Sequence, residues 1–481
     1  SFYKPARCFK ANKRRIKKYF TKKLYRYLSF MRFFIKILSI IFFIYSCSND
    51  YDDNVNLSEN ENLNIEDFIY KSMNSYYLWN DSVQNLDDSK FVSDKDYFNF
   101  LESSDGPDDL FDKLKFTDDR FSIITNDYIR LQNQFNSISL GNGMKFGLKV
   151  LENNFDIIGY VRYVLDGSNA HLEGIKRGTF FNRVNQTELN TDNYRELLFS
   201  NSSSYSIGLA KLENNEFKSL DENINLINSE ILEKELHTQK IITIDNKRIG
   251  YLFYNGFNAS QQNDLSITFE EFKNNNINEL IVDLRYNPGG SVQNTQFLAG
   301  LIAGEKSGQI FANMNYNNKL SRFNRQIEII DSNIRLGLSR IYFLVSKNSA
   351  SASELLINGL DPHIETIVIG TNTYGKNVGG SIIYDYISEQ IINPNHFWAL
   401  YPVIFSISNS LGFDDYSSGL IPDIFLEENL SNLGEIGNIS EPLLKIAIEH
   451  IIGREINTNK SSFHDQMITK EIMIENGLMF Y

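Results

Sequence analysis

The segment Ser349–Glu354, Ser-Ala-Ser-Ala-Ser-Glu, restricts the fold of this chain more than any other sequence feature. It follows an apolar run, Ile341–Val345, that is typical of a buried strand, and it opens a helical pattern of leucines. A strand that leads directly into a helix is the repeating unit of an α/β fold. Ser351 then falls in the first helical turn, where unpaired N–H groups and the helix dipole favour a developing anion. A hydroxyl there is a candidate nucleophile if a base can reach it.

A candidate base, Lys376, follows 25 residues after Ser351. It comes just after a second apolar run, Ile367–Ile369, in a turn rich in glycine. Two adjacent parallel strands would bring both turns to the same carboxyl edge of a sheet. A lysine acts as a base near neutral pH only if its pKa falls by roughly 3 from about 10.4, and burial achieves this. The segment 374–378 contains no carboxylate, so the sequence predicts a serine–lysine hydrolase site.

Two further motifs accompany this pair in chain order. Ile281–Gly290 is an apolar strand that ends in Asn-Pro-Gly-Gly, and Gly419–Asp423 reads Gly-Leu-Ile-Pro-Asp. With the serine-rich segment, they resemble the carboxy-terminal processing (tail-specific) protease family, and the resemblance extends over about residues 65–452. It implies Ser351 as nucleophile, Lys376 as general base, and an α/β catalytic core of the Clp protease/crotonase-like type.

The same resemblance implies an oxyanion hole. Its expected donors are the backbone N–H of Ala352 and one from the turn Gly289-Gly290, and losing one such donor typically costs about 100- to 1000-fold in rate. Ser349 and Ser353 lie close to the nucleophile in sequence. The family spacing selects Ser351, and Ser353 is expected to support the turn.

One position departs from the family pattern. Many members carry a glutamine four residues after the lysine, where this chain has Gly380. Either another side chain orients the amine, with Asn377 the nearest in sequence, or packing alone holds Lys376. A Ser-His-Asp triad using His363 is a formal alternative, although the end of the helix after the nucleophile is a poor place for it. The histidines show no metal-ligand spacing, and we expect no metal or other cofactor.

A β-rich module over residues 140–215 resembles a PDZ domain. Six residues stand where such domains have the carboxylate-binding loop before a strand: Gly143, Met144, Lys145, Phe146, Gly147 and Leu148. Tyr194–Phe199 is the expected groove-lining helix. A PDZ domain captures a peptide C-terminus with backbone N–H groups while the peptide adds a strand to the sheet edge. The alternative is a small sheet that only packs against the catalytic core.

Periodicity and composition delimit the remaining segments. Residues 64–125 are predicted to form a helical N-terminal domain, because apolar residues from Ile65 to Met73 recur at i, i+3, i+4 and i+8. The serine–lysine protease core is expected over residues 245–430, where strand and helix patterns alternate. Residues 440–481 are predicted to be an amphipathic helix and a tail.

Residues 1–46 resemble a leader and signal peptide. Residues 1–30 contain 11 Lys or Arg and no acid, and they look like an extension upstream of a credible start at Met31. A basic stretch then precedes an apolar run, 37–46. This run is shorter than the about 20 residues that span a bilayer, and it fits a secretory signal.

The apolar run ends in Ile-Tyr-Ser-Cys, which resembles a bacterial lipobox with Cys47 as the lipidated first residue of the mature protein. The alternative is a free cysteine that ends a cleavable signal. The chain has two cysteines and the other, Cys8, lies in the leader, so the mature part cannot form an internal disulfide. Residues 47–63 form an acidic tether similar to those of Bacteroidetes-type surface lipoproteins. We therefore expect a cell-envelope protein held to outer-membrane lipid by acylated Cys47, either periplasmic or surface-exposed.

Charge argues against one class of partner. Thirteen of the 47 Lys and Arg residues lie in residues 1–36, which leaves 34 cations against 60 acids in the rest of the chain. Nucleic acid needs a basic surface, so it is an unsuitable partner. Two functions remain: a lipid-anchored serine endopeptidase that cleaves proteins or peptides near their C-termini, or a catalytically silent surface lipoprotein that binds peptides or other polymers.

Overall fold

A computed structural model describes residues 63–200, 202–258, 262–456 and 468–472. The first part is helical, as predicted, and comprises α1 (Asn64–Tyr76), α2 (Asp94–Glu102) and α3 (Pro107–Lys113), with 3₁₀ turns at Asn80–Ser82 and Gln84–Leu86. The apolar stripe of α1 is buried against α3 and against Leu400 and Val403, which come from far along the chain. The helical region therefore packs directly on a segment that lies C-terminal to Lys376.

A β-rich region comes next along the chain. Its elements are β1 (Ile123–Thr125), α4 (Tyr128–Phe135), β2 (Ile138–Gly141), β3 (Met144–Leu151), β4 (Ile157–Val164), α5 (Asn169–Leu172), β5 (Phe180–Val184), β6 (Thr187–Glu188), α6 (Tyr194–Phe199), β7 (Ser204–Glu213), β8 (Glu216–Ile227) and β9 (Ser229–Leu232). Strands β3, β4, β5, β7 and β8 pair in that order, and all these pairs are antiparallel. The predicted helix at 194–199 has the predicted bounds.

The remaining elements form the α/β region and the C-terminal segment. They are β10 (Leu236–Ile244), β11 (Lys247–Tyr254), α7 (Gln262–Asn274), β12 (Glu279–Asp283), α8 (Val292–Ala303), β13 (Ile310–Tyr316), β14 (Arg325–Glu328), β15 (Arg340–Val345), α9 (Ala352–Leu360), β16 (Glu365–Gly370), β17 (Val378–Gly380), β18 (Ile383–Tyr384), β19 (Tyr386–Ser388), β20 (Ile391–Ile392), β21 (Ala399–Tyr401), β22 (Val403–Asn409), β23 (Ile424–Phe425), α10 (Pro442–Ile451) and β24 (Ile468–Ile472), with 3₁₀ turns at Gly304–Lys306 and Asn318–Phe323.

The central sheet has the order β10-β11-β12-β15-β16-β23. The pairs from β11 to β23 are parallel, and β10 is antiparallel to β11. Strand β12 shows how the layers form: Leu280 and Val282 pack in one core with α7, α8 and α9, while Ile281 packs in another with α10. A strand that is covered on both faces has to be apolar throughout, which explains its continuous hydrophobic run.

The central sheet brings three turns together. Strands β12, β15 and β16 are adjacent and parallel, and Asp283 pairs with Leu344 while Val345 pairs with Gly370. The turns after these strands therefore lie at one carboxyl edge, as the sequence predicts for the Ser351 and Lys376 turns. Smaller antiparallel sheets, β14-β13-β22-β17 and β1-β21-β18, accompany the central one. Among the described residues, none of the helices has the length and apolar character needed to cross a bilayer.

Candidate active site

Ser351 occupies the sharp turn between β15 and α9, at the N-cap of the helix. Its φ of +55° is a left-handed conformation that a serine rarely adopts and that persists where the surrounding structure enforces it. The hydroxyl of Ser353 donates to the carbonyl of Asn287 at 3.0 Å, and that of Ser349 donates to the carbonyl of Leu284 at 2.7 Å. Both neighbouring serines thus bind the nucleophile turn to the turn after β12.

The turn after β12 approaches Ser351 closely because the residue nearest to Ser351 is a glycine, Gly289. Gly289 has a φ of +111°, and a Cβ placed there would lie 2.8 Å from Ser351 Cβ and 2.9 Å from the Ala352 nitrogen. The Gly289 N–H donates to Asn287 Oδ1 at 2.8 Å. The Gly289 N–H therefore already has an acceptor within the turn, which affects which backbone N–H can donate to an oxyanion.

Lys376 lies in the turn after β16 and is 1% exposed. Its Nζ lies 5.3 Å from the ring centroid of Phe121 and 5.6 Å from that of Tyr401. Burial lowers the pKa of Lys376 to about 7, against the opposing influence of the nearby Asp119 and Glu354 carboxylates. The amine therefore has the protonation equilibrium that a general base at neutral pH requires.

Glu354 connects the nucleophile turn to the base turn. Its Oε2 accepts from the backbone N–H of Ser351 and from that of Lys376, both at 2.8 Å. Its Oε1 accepts from the Gly375 N–H at 2.6 Å and from the Thr373 hydroxyl at 2.5 Å. Burial raises the pKa of this carboxyl, and these four donors oppose the rise. The sequence reasoning did not assign Glu354 to the site, although the spacing Ser-x-x-Glu at a helix start is a local signal for such a bond.

The helical N-terminal region also contributes to the site. Arg120 donates to the carbonyls of Gly375 and Ser417 at 2.9 and 3.0 Å and so clamps the base turn. The neighbouring Asp119 accepts from the Tyr77 hydroxyl at 2.7 Å, and Phe121 packs on the lysine. The sequence placed these residues only in the helical N-terminal domain, because no local pattern marks a contact across more than 250 residues.

The sequence left open whether the Asn377 side chain or packing alone orients the Lys376 amine. The Asn377 amide donates to the carbonyl of Asp414 at 2.7 Å. At Gly380, a Cβ would lie 2.5 Å from the Pro402 carbonyl oxygen and 2.8 Å from the Tyr401 ring. Tyr401 therefore fills the space that a longer side chain at position 380 would need. The ring of Tyr401 also lies beside the Lys376 amine.

His363 lies beyond the far end of α9. Its ring nitrogens lie 2.8 Å from the Ile310 carbonyl oxygen and 3.0 Å from Gln309 Oε1. This position argues against a triad between His363 and Ser351. Across the described ranges, no cluster of His, Cys, Asp and Glu has the arrangement of a metal site.

The predicted carboxylate loop is shorter than the sequence suggested, because β3 already begins at Met144. Gly143 has a φ of +90°, and a Cβ there would overlap Ser168. A cleft of about 660 Å³ lies between this loop and α6. The far half of the β3 edge is paired with β24, with Ile472 opposite Leu148, so a peptide extending along all of β3 has to displace β24. Cys47, the predicted lipidation site, lies outside the described residues.

A strained serine at a helix start, a buried lysine with a lowered pKa and an adjacent glycine turn define a serine-hydrolase type of site. Comparisons with known proteins give the family. Residues 248–386 match the model of peptidase family S41, and residues 64–123 match the peptidase S41 N-terminal domain. Both matched regions are similar to peptidase family S41, and the resemblance to carboxy-terminal processing proteases is confirmed.

Individual relatives agree with this assignment. A carboxyl-terminal-processing protease of Synechocystis sp. is 22% identical over 221 residues, 46% of this chain and 48% of that protein. The chloroplastic carboxyl-terminal-processing peptidase 2 of Arabidopsis thaliana is 32% identical over 130 residues, 27% of this chain and 24% of that protein. These matches span about half or less of the curated relatives.

Solved structures match over most of their length. A putative S41 protease from Bacteroides fragilis has a TM-score of 0.64 and 26% identity, covering 80% of this chain and 97% of that one. The photosystem II D1 C-terminal processing protease has a TM-score of 0.51 at 15% identity, covering 79% and 96%, and supports the fold alone. The predicted Clp protease/crotonase-like core, with a helical N-terminal region and a β-rich module, is confirmed.

Proposed function

We propose that this protein is a serine endopeptidase of the carboxy-terminal processing type, with Ser351 as nucleophile and Lys376 as general base. One observation carries the proposal: the buried lysine has a pKa of about 7, and its turn shares the Glu354 carboxylate with the serine turn. A base whose pKa lies near the working pH combines the correct protonation state with useful proton affinity.

The reaction is consistent with these positions. The neutral Nζ of Lys376 accepts the proton of Ser351 Oγ as this oxygen attacks the substrate carbonyl carbon. The C–N bond then breaks, and the lysine returns the proton to the departing amine. Water then attacks the resulting ester as Lys376 takes one of its protons; the bond from the carbonyl carbon to Ser351 Oγ breaks, and the lysine returns the proton to this oxygen. The new C-terminus gives its remaining acidic proton to solvent and leaves as a carboxylate.

The oxyanion of each tetrahedral intermediate needs donors beside Ser351. We assign one to the N–H of Ala352, the first residue of α9. The other comes from the turn after β12, and we assign it to Gly290, since the Gly289 N–H already donates to Asn287. These donors are fixed by the backbone, so they need little reorganisation as charge develops.

The PDZ-like module, residues 140–215, is proposed to hold the free C-terminus of a protein or peptide substrate. The cleft between the Gly143 loop and α6 supports this role. Backbone amides of the loop and the first residues of β3 would bind the terminal carboxylate, and β3 would pair with the peptide. Residues further toward the substrate N-terminus then reach Ser351.

A serine-directed fluorophosphonate probe tests the proposed activity against the catalytically silent alternative. An activated nucleophile reacts covalently, so we expect stoichiometric labelling that mass spectrometry assigns to the peptide containing Ser351. Labelling should rise between about pH 6 and 8 as Lys376 loses its proton. Ser349→Ala is a matched control and should still be labelled. An unlabelled folded protein would favour the binding-only alternative.

We also propose that the protein is a lipid-anchored envelope protein, with residues 47–63 as tether. Cys47→Ala should release it from membranes, because the variant has no cysteine to carry acyl chains. Stable anchoring needs two such signals, and a single acyl chain binds only marginally. Fractionation and detergent partitioning of cells that express each form measure this. A variant that remains in the membrane fraction would contradict the lipobox interpretation.

A further inference from the structure

A small cavity lies between the glycine turn of the active site and the start of β3. Its volume is about 150 Å³, with Pro288 and Gly289 on one side and Met144–Phe146 on the other. Under the proposed function, a peptide held by its C-terminus at Gly143 crosses this space on its way to Ser351. The cavity therefore faces substrate residues on the C-terminal side of the scissile bond.

Asn255 lines this cavity and is 7% exposed. Neither its Oδ1 nor its Nδ2 has a hydrogen-bond partner among the described residues. Buried polar groups are nearly always satisfied, so a carboxamide with both ends unpaired beside a cavity indicates a place for a ligand. The backbone here is rigid: the Tyr254 carbonyl accepts from Asn287 at 2.9 Å, and the Phe257 N–H donates to the Gly289 carbonyl at 2.9 Å. Asn255 is thus fixed relative to the oxyanion turn.

A second polar group, Glu235, lines the same cavity and is 2% exposed. Burial raises the pKa of Glu235 to about 8, so the carboxyl is mainly protonated at neutral pH and can donate a hydrogen bond. The ionisable groups around it are Glu233, whose charge also raises this pKa, and Tyr254, whose hydroxyl lies 3.4 Å away. The cation nearest to Glu233 is Lys145, paired with it at 2.5 Å.

Charge on the remaining wall is also balanced. Arg162 lines the cavity, and its Nη2 lies 3.0 Å from Glu471 Oε1. With Lys145 paired to Glu233 and the Glu235 carboxyl neutral, the cavity presents polar groups whose charges are balanced. A side chain with a full negative charge would enter it without an unpaired cation to receive it, which is unfavourable in a buried site.

We propose that this cavity is a substrate subsite for one uncharged polar side chain, a carboxamide or a hydroxyl, on the C-terminal side of the scissile bond, with Asn255 and Glu235 as the recognising groups. The proposal rests on the proposed function, which sets the direction of the peptide. A glutamine or asparagine can donate to and accept from the Asn255 carboxamide. An apolar side chain of similar size leaves that carboxamide unsatisfied and so binds less well.

The test uses full-length Ser351→Ala protein and fluorescent peptides with a free C-terminus. The peptides differ at one position that is moved along the C-terminal half, where glutamine is compared with methionine and glutamate. We expect glutamine to bind about 10-fold tighter than either at one position, as a gained hydrogen-bond pair predicts. Asn255→Ala should remove this preference, while the matched surface variant Asn223→Ala on β8 should keep it.

A second variant keeps the proposal testable if Asn255→Ala fails to fold. The glutamine preference should weaken above about pH 8 as Glu235 ionises, and Glu235→Gln should keep the preference at every pH. Equal binding of all peptides, or a preference that Asn255→Ala leaves intact, would overturn the subsite. Binding is measured on an inactive variant, so absence of hydrolysis by the parent protein would refute the peptidase function separately.

Discussion

Ser351→Ala protein should hydrolyse peptides at least about 1000-fold more slowly than the parent, because the variant has no nucleophile to form the ester. The change removes one oxygen atom and little volume, so the helix start and its bonds to Glu354 should persist. Rates of cleavage of a quenched fluorescent peptide, with circular dichroism to verify folding, measure the effect. Residual activity would come from bound water attacking in the retained oxyanion hole.

The neighbouring serines provide matched controls for this prediction. The hydroxyls of Ser349 and Ser353 donate to carbonyls of the turn after β12 that also accept backbone N–H groups, so their alanine variants should lose only about 0.5–1.5 kcal/mol of stability per lost hydrogen bond. They should retain much of the activity. If Ser353→Ala were inactive and Ser351→Ala active, the nucleophile would have been assigned to the wrong residue.

The α/β core was predictable because buried parallel strands carry a strong local signal. The apolar runs Ile341–Val345 and Ile367–Ile369 lie within strands β15 and β16. Strands β8 and β10 were not predicted: β8 is largely exposed and polar, and β10 mixes polar residues with apolar ones that are only partly buried. Two-residue turns at Asn214-Asn215 and Asp245-Asn246, with positive φ at both positions, were the local signals for these hairpins.

The site was predictable to the extent that its residues lie in recognisable segments. Ser351, Lys376 and the glycine turn each come after an apolar strand, so the parallel sheet brings them together. Asp119 and Tyr401 reach the lysine from other parts of the chain, and no spacing in the sequence predicts such contacts. The pKa of Lys376 depends on these long-range neighbours, so only the need for a lowered value could be inferred from the sequence.

The pH dependence of activity should report on Lys376. The base is competent when deprotonated, so the rate constant for hydrolysis should rise with pH around a midpoint near 7, where burial places the pKa of this lysine. Asp119 opposes this lowering by favouring the charged amine. Asp119→Asn keeps the acceptor for the Phe121 and Ser122 N–H groups but loses the one for the Tyr77 hydroxyl, so it should shift the midpoint to lower pH at some cost in stability.

Lys376→Arg should be as inactive as Lys376→Met, because a guanidinium stays protonated at any working pH and cannot take the proton from Ser351.

The two variants should differ in stability. The pKa of Lys376 falls from 10.5 to about 7, so burying its charged form costs roughly 5 kcal/mol below pH 7, and the cost decreases as pH rises toward the unfolded-state pKa. Lys376→Met removes this cost, so its melting temperature should exceed that of the parent, most clearly below pH 7. Lys376→Arg keeps a buried charge and should be less stable than Lys376→Met. An active Lys376→Arg enzyme would exclude lysine as the base.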